Sequence, residues 1–103
     1  MSFSNTYQVD TIKNFHEVSC FCPLGRDNYT AHVEIEVMGP AILPDYLDTD
    51  KFIASLYGNE LIIEDLAHKI ALHFKQQTEA DTVLVMASVS NAKHSPVEVT
   101  VRI

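Results

Sequence analysis

The amino-acid sequence predicts an α+β domain, in which a four-stranded antiparallel sheet carries two helices on one face. Three observations support this class: apolar and polar side chains alternate in the first and last thirds of the chain, a helical apolar period lies between them, and turn signals separate the segments. The chain has 103 residues, which suits one domain. Its apolar fraction of 47% and charged fraction of 20% exclude a disordered chain.

The first two strands are predicted at 15–22 and 29–37. In the first, Val18, Cys20 and Cys22 share one face, because side chains alternate along a strand. The segment 23–28 contains Pro, Gly, Asp and Asn, which favour a turn. The second segment alternates strictly and predicts a half-buried strand. Its apolar positions are Tyr29, Ala31, Val33, Ile35 and Val37.

Two helices are predicted next, at 44–57 and 61–76. Asp48 is the predicted N-cap of the first helix, and Gly58 is predicted to follow its C-terminus. In the second helix Glu64 lies in the first turn, where a carboxylate suits the helix dipole. The apolar stripe of this helix is Ile62, Ile63, Leu66, Ala67, Ile70, Ala71 and Phe74.

The last two strands are predicted at 82–89 and 96–103, joined by the polar segment 90–95. The predicted order is therefore ββααββ, with residues 1–14 as an N-terminal extension and 15–103 as a single domain. An open sheet has two free edges, which proteins usually cover or pair. We therefore expect copies of the chain to associate through these edges and to close a barrel.

Charge and composition limit the classes of partner. The formal net charge is −7, which opposes non-specific binding to nucleic acid or to anionic membranes. No segment approaches the roughly 20 apolar residues that span a bilayer, and the N-terminus does not resemble a secretory signal. The two cysteines, Cys20 and Cys22, suit neither a disulfide framework nor a four-ligand zinc site. These observations favour a reduced, cytoplasmic location.

Three local features fall in a fixed order on this pattern. Phe-Cys-Pro occupies 21–23, Asp27 precedes the alternating strand, and Glu64 opens the second helix. Together with the ββααββ order they resemble the tunnelling-fold (T-fold) superfamily. Within it they are most similar to the 7-cyano-7-deazaguanine reductase (QueF) family and its QueF-like amidinotransferase relatives. The resemblance covers 15–103.

The resemblance implies a nitrile chemistry and assigns its residues. Cys22 matches the nucleophile, whose thiolate adds to the nitrile carbon of 7-cyano-7-deazaguanine and forms a thioimidate. Asp27 matches the acid that manages the proton of the nitrile nitrogen, and Asn28 is a competing match for that position. Glu64 matches the carboxylate that accepts two N–H bonds from the guanine-like edge. The resemblance also implies sites between subunits of a homo-oligomer.

The sequence departs from the reductase pattern in two ways. Reductases carry Glu-Ser-Lys-Ser-x-Lys ahead of the first helix for the NADPH phosphates, but Leu47 and Asp50 fill the two lysine places here, and Asp48 adds negative charge. Phosphates are repelled there, so we expect no cofactor and favour amidinotransfer over NADPH reduction. Ile63 stands where reductases tend to have a His.

The acceptor of the thioimidate (hydride, ammonia or another amine) stays open. Whether the base is free or part of transfer RNA also stays open, although the net charge disfavours transfer RNA.

Other interpretations remain open. Cys22 also suits core packing, Asp27 a turn, and Glu64 the helix dipole alone. The alternatives to amidinotransfer are an NADPH-dependent reductase, a non-catalytic purine- or pterin-binding module, and a pterin-directed lyase or cyclohydrolase with zinc. No metal site is predicted, because no His-x-His pair occurs and the histidines show no metal-ligand spacing. They are His16, His32, His68, His73 and His94.

Overall fold

A computed structural model describes residues 3–103. The order of its elements confirms the predicted α+β class, with two helices between two pairs of long strands. Residues 1 and 2 of the predicted N-terminal extension lie outside the described residues. The elements are β1 (Phe3–Ser4), β2 (Thr11–Cys22), β3 (Asp27–Met38), β4 (Ile42–Leu43), α1 (Tyr46–Leu56), α2 (Ile63–Thr78), β5 (Thr82–Val89) and β6 (Val97–Arg102).

The main sheet is antiparallel throughout, with the strand order β2-β3-β5-β6. Strand β2 starts at Thr11, four residues before the predicted start, because it pairs with β3 along its whole length, from Thr11 opposite Met38 to Cys22 opposite Asp27. A second, two-stranded sheet pairs β1 with β4 and places Phe3 opposite Leu43. The sequence does not predict this small sheet.

The core lies between α2 and one face of the main sheet. Strand β3 alternates as predicted, with Tyr29, Ala31, Val33, Ile35 and Val37 buried on the helix side. Burying a large apolar side chain of this kind contributes about 1.5–3 kcal/mol. The predicted stripe of α2 packs against this face through Leu66, Ala67, Ile70, Ala71 and Phe74, all fully buried.

Helix α1 begins earlier than its predicted cap implies. The side chain of Asp45 accepts hydrogen bonds from the backbone N–H groups of Leu47 and Asp48, at 3.1 and 3.2 Å. The predicted N-cap Asp48 is therefore wrong, because Asp45 already satisfies the free amides of the first turn. The predicted role of Gly58 is confirmed: it follows the C-cap Tyr57 with φ +76°, a conformation that favours glycine.

The segment 58–61 between the helices runs beside the edge of β2. Gly58 N–H donates to the carbonyl of Ser19 at 2.9 Å, and Phe21 N–H donates to the carbonyl of Asn59 at 3.0 Å. Leu61 N–H in turn donates to the carbonyl of Phe21 at 3.0 Å. These bonds cover the edge of β2 near its C-terminus and bring the start of α2 next to Cys22.

Within residues 3–103, neither helix has the length and the run of apolar residues that crossing a membrane requires.

Candidate functional site

A cavity of about 350 Å³ lies at one end of the main sheet. Three parts of the chain meet there: the β2–β3 hairpin, the start of α2, and the connection from β5 to β6. Its volume is near the lower end of the range for small-molecule sites, and one side is open to solvent. The wall is formed by Cys22, Leu24, Gly25, Tyr29, Ile62, Ile63, Glu64, Val89, His94, Ser95 and Val97.

Cys22 is the last residue of β2 and is half-buried. The hairpin turn that follows curls back over it: Arg26 N–H donates to the Cys22 carbonyl at 2.8 Å, and Arg26 itself adopts the left-handed conformation with φ +53°. The N–H of Gly25 points at Cys22 Sγ, with an N···S distance of 3.4 Å. A donor in this position stabilises negative charge that develops on the sulfur.

Cys20 is excluded from the cavity by its burial. Its thiol donates to the carbonyl of Leu56 at 3.3 Å, and its side chain is 1% exposed. Burial raises the pKa of Cys20, which keeps this thiol protonated. Of the two cysteines, Cys22 alone lines the cavity.

Glu64 also lines the cavity, in the first turn of α2. The N-cap of this helix is Ile62, whose side chain makes no capping hydrogen bond. The N-terminus of this helix carries a partial positive charge, and a carboxylate in the first turn suits this charge. The fold thus brings Cys22 and Glu64, which are far apart in the chain, to the wall of one cavity.

Asp27 occupies a different position from the other two predicted residues. It is paired with Cys22 in the β2–β3 ladder, and cross-strand partners point to the same face of a sheet. Its half-buried side chain nevertheless does not belong to the cavity wall. Asn28, the competing match, is exposed and alternates to the other face of the sheet.

Tyr29 and His94 line the cavity, although sequence reasoning assigns neither to the site. Tyr29 is 4% exposed, and its hydroxyl donates to the carbonyl of Leu61. Burial, together with the nearby Cys20, raises the pKa of Tyr29 well above its usual range. A tyrosine at a buried position of a strand indicates a hydrogen bond inside the protein, because a buried hydroxyl needs a partner. His94 lies in a polar loop, where no sequence pattern marks it.

The segment matched to the NADPH signature lies at the start of α1. Leu47, Asp48 and Asp50 are all exposed there, so the phosphates of a dinucleotide would meet carboxylates rather than lysines. Within residues 3–103, no group of three or more His, Cys, Asp or Glu side chains is arranged to hold a metal ion.

Comparison with known proteins supports the fold. No protein-family model matches the sequence, and no curated protein matches it. Among solved structures, the chain is similar to the archaeosine synthase QueF-Like in its apo form. The TM-score is 0.83 and the identity 18%, and the match covers 92% of this chain and 94% of that chain. The likeness confirms the predicted α+β fold, with two helices on a four-stranded antiparallel sheet.

Proposed function

We propose that the cavity binds a guanine-like 7-deazapurine that carries a nitrile, and that Cys22 attacks the nitrile carbon. The observation that carries this proposal is the presence of Cys22 and Glu64 on the wall of one cavity of suitable size. The solved structure with the same fold is named as an archaeosine synthase, which supports a role for this chain in 7-deazaguanine chemistry.

Recognition of the base depends on Glu64. A carboxylate accepts two roughly parallel N–H bonds, and the ring N–H and exocyclic amine of a guanine-like edge supply such a pair. The remaining wall includes Ile62, Ile63, Val89 and Val97, which offer apolar contact to the flat ring. The base then lies with its recognition edge toward α2 and its nitrile toward the hairpin.

The first chemical step adds the thiol across the nitrile. Cys22 gives up its thiol proton to a base, a bond forms between Sγ and the nitrile carbon, one C–N π bond is lost, and the nitrile nitrogen gains a proton. Asp27 is our proposed source of that proton, because it is the cross-strand partner of Cys22. Its side chain lies outside the cavity wall in this structure, so it has to turn toward the nitrile when the ligand is bound. The product is a covalent thioimidate, from which no atom has left.

The second step is amidinotransfer. The nitrogen of ammonia or another amine attacks the thioimidate carbon, the C–S bond breaks, and the departing sulfur takes a proton to regenerate Cys22. This step needs no reductant. The exposed Asp48 and Asp50 support it over reduction by NADPH, because they repel the cofactor's phosphates. Since one side of the cavity is open, we further propose that a second copy of the chain covers it.

Intact-mass spectrometry after incubation with 7-cyano-7-deazaguanine tests the proposal. We expect wild-type protein to gain one ligand mass and Cys22→Ala to gain none. Cys20→Ala is the matched control, since it removes the neighbouring thiol that does not face the cavity. A wild-type protein without adduct, or an adduct that persists in Cys22→Ala, contradicts the proposal. Ammonium, NADPH and transfer RNA are then added in turn, and we expect ammonium to release an amidine.

The position of Asp27 outside the cavity wall favours one second candidate. Without an acid at the nitrile, the protein is a non-catalytic module that binds a purine or pterin in the same cavity. In that case Glu64→Gln weakens ligand binding in calorimetry, whereas Cys22→Ala leaves the Kd unchanged and no adduct forms.

A further inference from the structure

The addition of a thiol to a nitrile needs a base as well as an acid, because the thiolate is the attacking form of cysteine. The titratable side chains on the cavity wall are those of Cys22, Tyr29, Glu64 and His94. Two of these four already have a role in the proposed function. Cys22 is the nucleophile, and Glu64 binds the base in the proposed function.

Tyr29 is not available as a base. Its hydroxyl proton is donated to the carbonyl of Leu61. Burial also keeps the phenol protonated. His94 is therefore the one titratable side chain of the described cavity wall that has no other role. Imidazole is also the side chain best suited to exchange protons near neutral pH.

The hydrogen bonding of His94 fixes which ring nitrogen is free. Its Nδ1 lies 2.7 Å from the backbone carbonyl oxygen of Ser95. A carbonyl oxygen only accepts hydrogen bonds, so Nδ1 carries the proton, and in the neutral ring Nε2 holds the lone pair. Nε2 is therefore the ring nitrogen that can accept a proton.

We propose that His94 is the general base that removes the thiol proton of Cys22. This proposal rests on the proposed function and adds a catalytic residue to it. The S–H proton passes to Nε2 of His94 as the S–C bond forms, while Asp27 gives its proton to the nitrile nitrogen. The imidazolium of His94 later releases its proton to solvent, and Asp27 takes a proton up from solvent, so both side chains are restored. The step needs neither oxidant nor reductant.

The rate of adduct formation across a pH series tests this role. We expect His94→Gln to slow adduct formation about 100-fold near neutral pH, the lower end of the usual effect of a general base. The deficit closes at alkaline pH, where hydroxide removes the thiol proton without help. Added imidazole restores the rate of His94→Ala, which a merely structural role would not allow. His68→Gln is the matched control, since His68 is exposed on α2 and absent from the cavity wall.

A second readout does not depend on the nitrile ligand. We expect alkylation of Cys22 by iodoacetamide to slow at neutral pH in His94→Gln and to match wild type at alkaline pH. If wild type forms no adduct but this alkylation depends on His94, the proposed function fails and the pairing of His94 with Cys22 stands. Equal rates in wild type and His94→Gln, or a deficit that is the same at every pH, overturn the role of His94.

Discussion

At the scale of single residues, Tyr29 connects the two walls of the cavity. Its ring is buried in the sheet, and its hydroxyl donates to the carbonyl of Leu61, immediately before the cavity residues of α2. The hydrogen bond therefore adds to the backbone bonds of 58–61 in holding the start of α2 beside the hairpin that carries Cys22.

Tyr29→Phe removes this donor and keeps the ring. Since the change takes away a buried hydrogen bond, we expect a loss of about 1–3 kcal/mol in the free energy of unfolding, measured in urea. Tyr7→Phe is the matched control because Tyr7 is 79% exposed, and we expect a change within about 0.5 kcal/mol. Equal stabilities of Tyr29→Phe and wild type would show that the hydrogen bond contributes nothing.

At the scale of elements, the contact between α1 and α2 contains a histidine that is adapted to the neutral form. The ring of His73 stacks on Phe52 with a centroid distance of 3.9 Å and an interplanar angle of 5°. Its Nε2 is buried and has no hydrogen-bond partner among the described residues. Burial lowers the pKa of His73 below its usual value, and the charge of Asp48 opposes this only in part.

Stability should therefore fall in acid. Below the ordinary histidine pKa of about 6.5, the unfolded chain binds a proton that folded His73 still resists, so the free energy of unfolding decreases as the pH falls. We expect His73→Phe to be less sensitive to pH than wild type in thermal unfolding between neutral and mildly acidic pH. Some dependence remains, because burial also lowers the pKa of His16.

The control for this prediction is His68→Gln, which alters an exposed histidine of the same helix. It should retain the wild-type pH dependence. A His73→Phe protein whose stability falls in acid as steeply as that of wild type would contradict the assignment.

Elements with a strong period are predictable from the sequence. Strand β5 has its predicted bounds, and β3 extends its predicted range by two residues at one end and one at the other. A half-buried strand repeats every two residues, and α2 repeats its apolar stripe every three to four. The small sheet of β1 and β4 lacks such a signal, because its two-residue strands are brought together by pairing between distant segments.

The candidate site is predictable only in part, for the same reason. Cys22 and Glu64 carry local signals, and the structure brings them to one cavity. The sequence also places Asp27 near Cys22, but it does not show that the side chain lies outside the wall. His94 joins the wall because of the path of the β5–β6 connection, and this depends on the whole fold rather than on neighbouring residues.

At the scale of the whole molecule, the two edges of the main sheet differ. The C-terminal part of β2 is covered by 58–61, and the hydroxyl of Tyr57 donates to the carbonyl of Glu17. No other strand of residues 3–103 covers the outer edge of β6. Val83 and Ile103 exchange both backbone hydrogen bonds, at 2.8 and 3.0 Å. The alternation of an antiparallel ladder then directs the N–H of Thr100 outward.

This geometry gives a test of the predicted association. We expect wild type to be an oligomer by size-exclusion chromatography with light scattering. Thr100→Pro should shift it toward smaller species, because proline removes an outward donor and leaves the bonds to β5 intact. Thr100→Ala keeps the N–H and should keep the wild-type mass, with circular dichroism to verify folding. A monomeric wild type, or an unchanged mass of Thr100→Pro, would argue against pairing through β6.

The attachment of 58–61 to β2 also separates the cavity from α1. The start of α2 is bonded to the sheet through Phe21 and Leu61, whereas no residue of α1 contributes to the described wall. We therefore expect the backbone amides of α1 to exchange with solvent faster than the amides of 58–61 that bond to β2. Hydrogen–deuterium exchange followed by mass spectrometry measures this difference between α1 and 58–61.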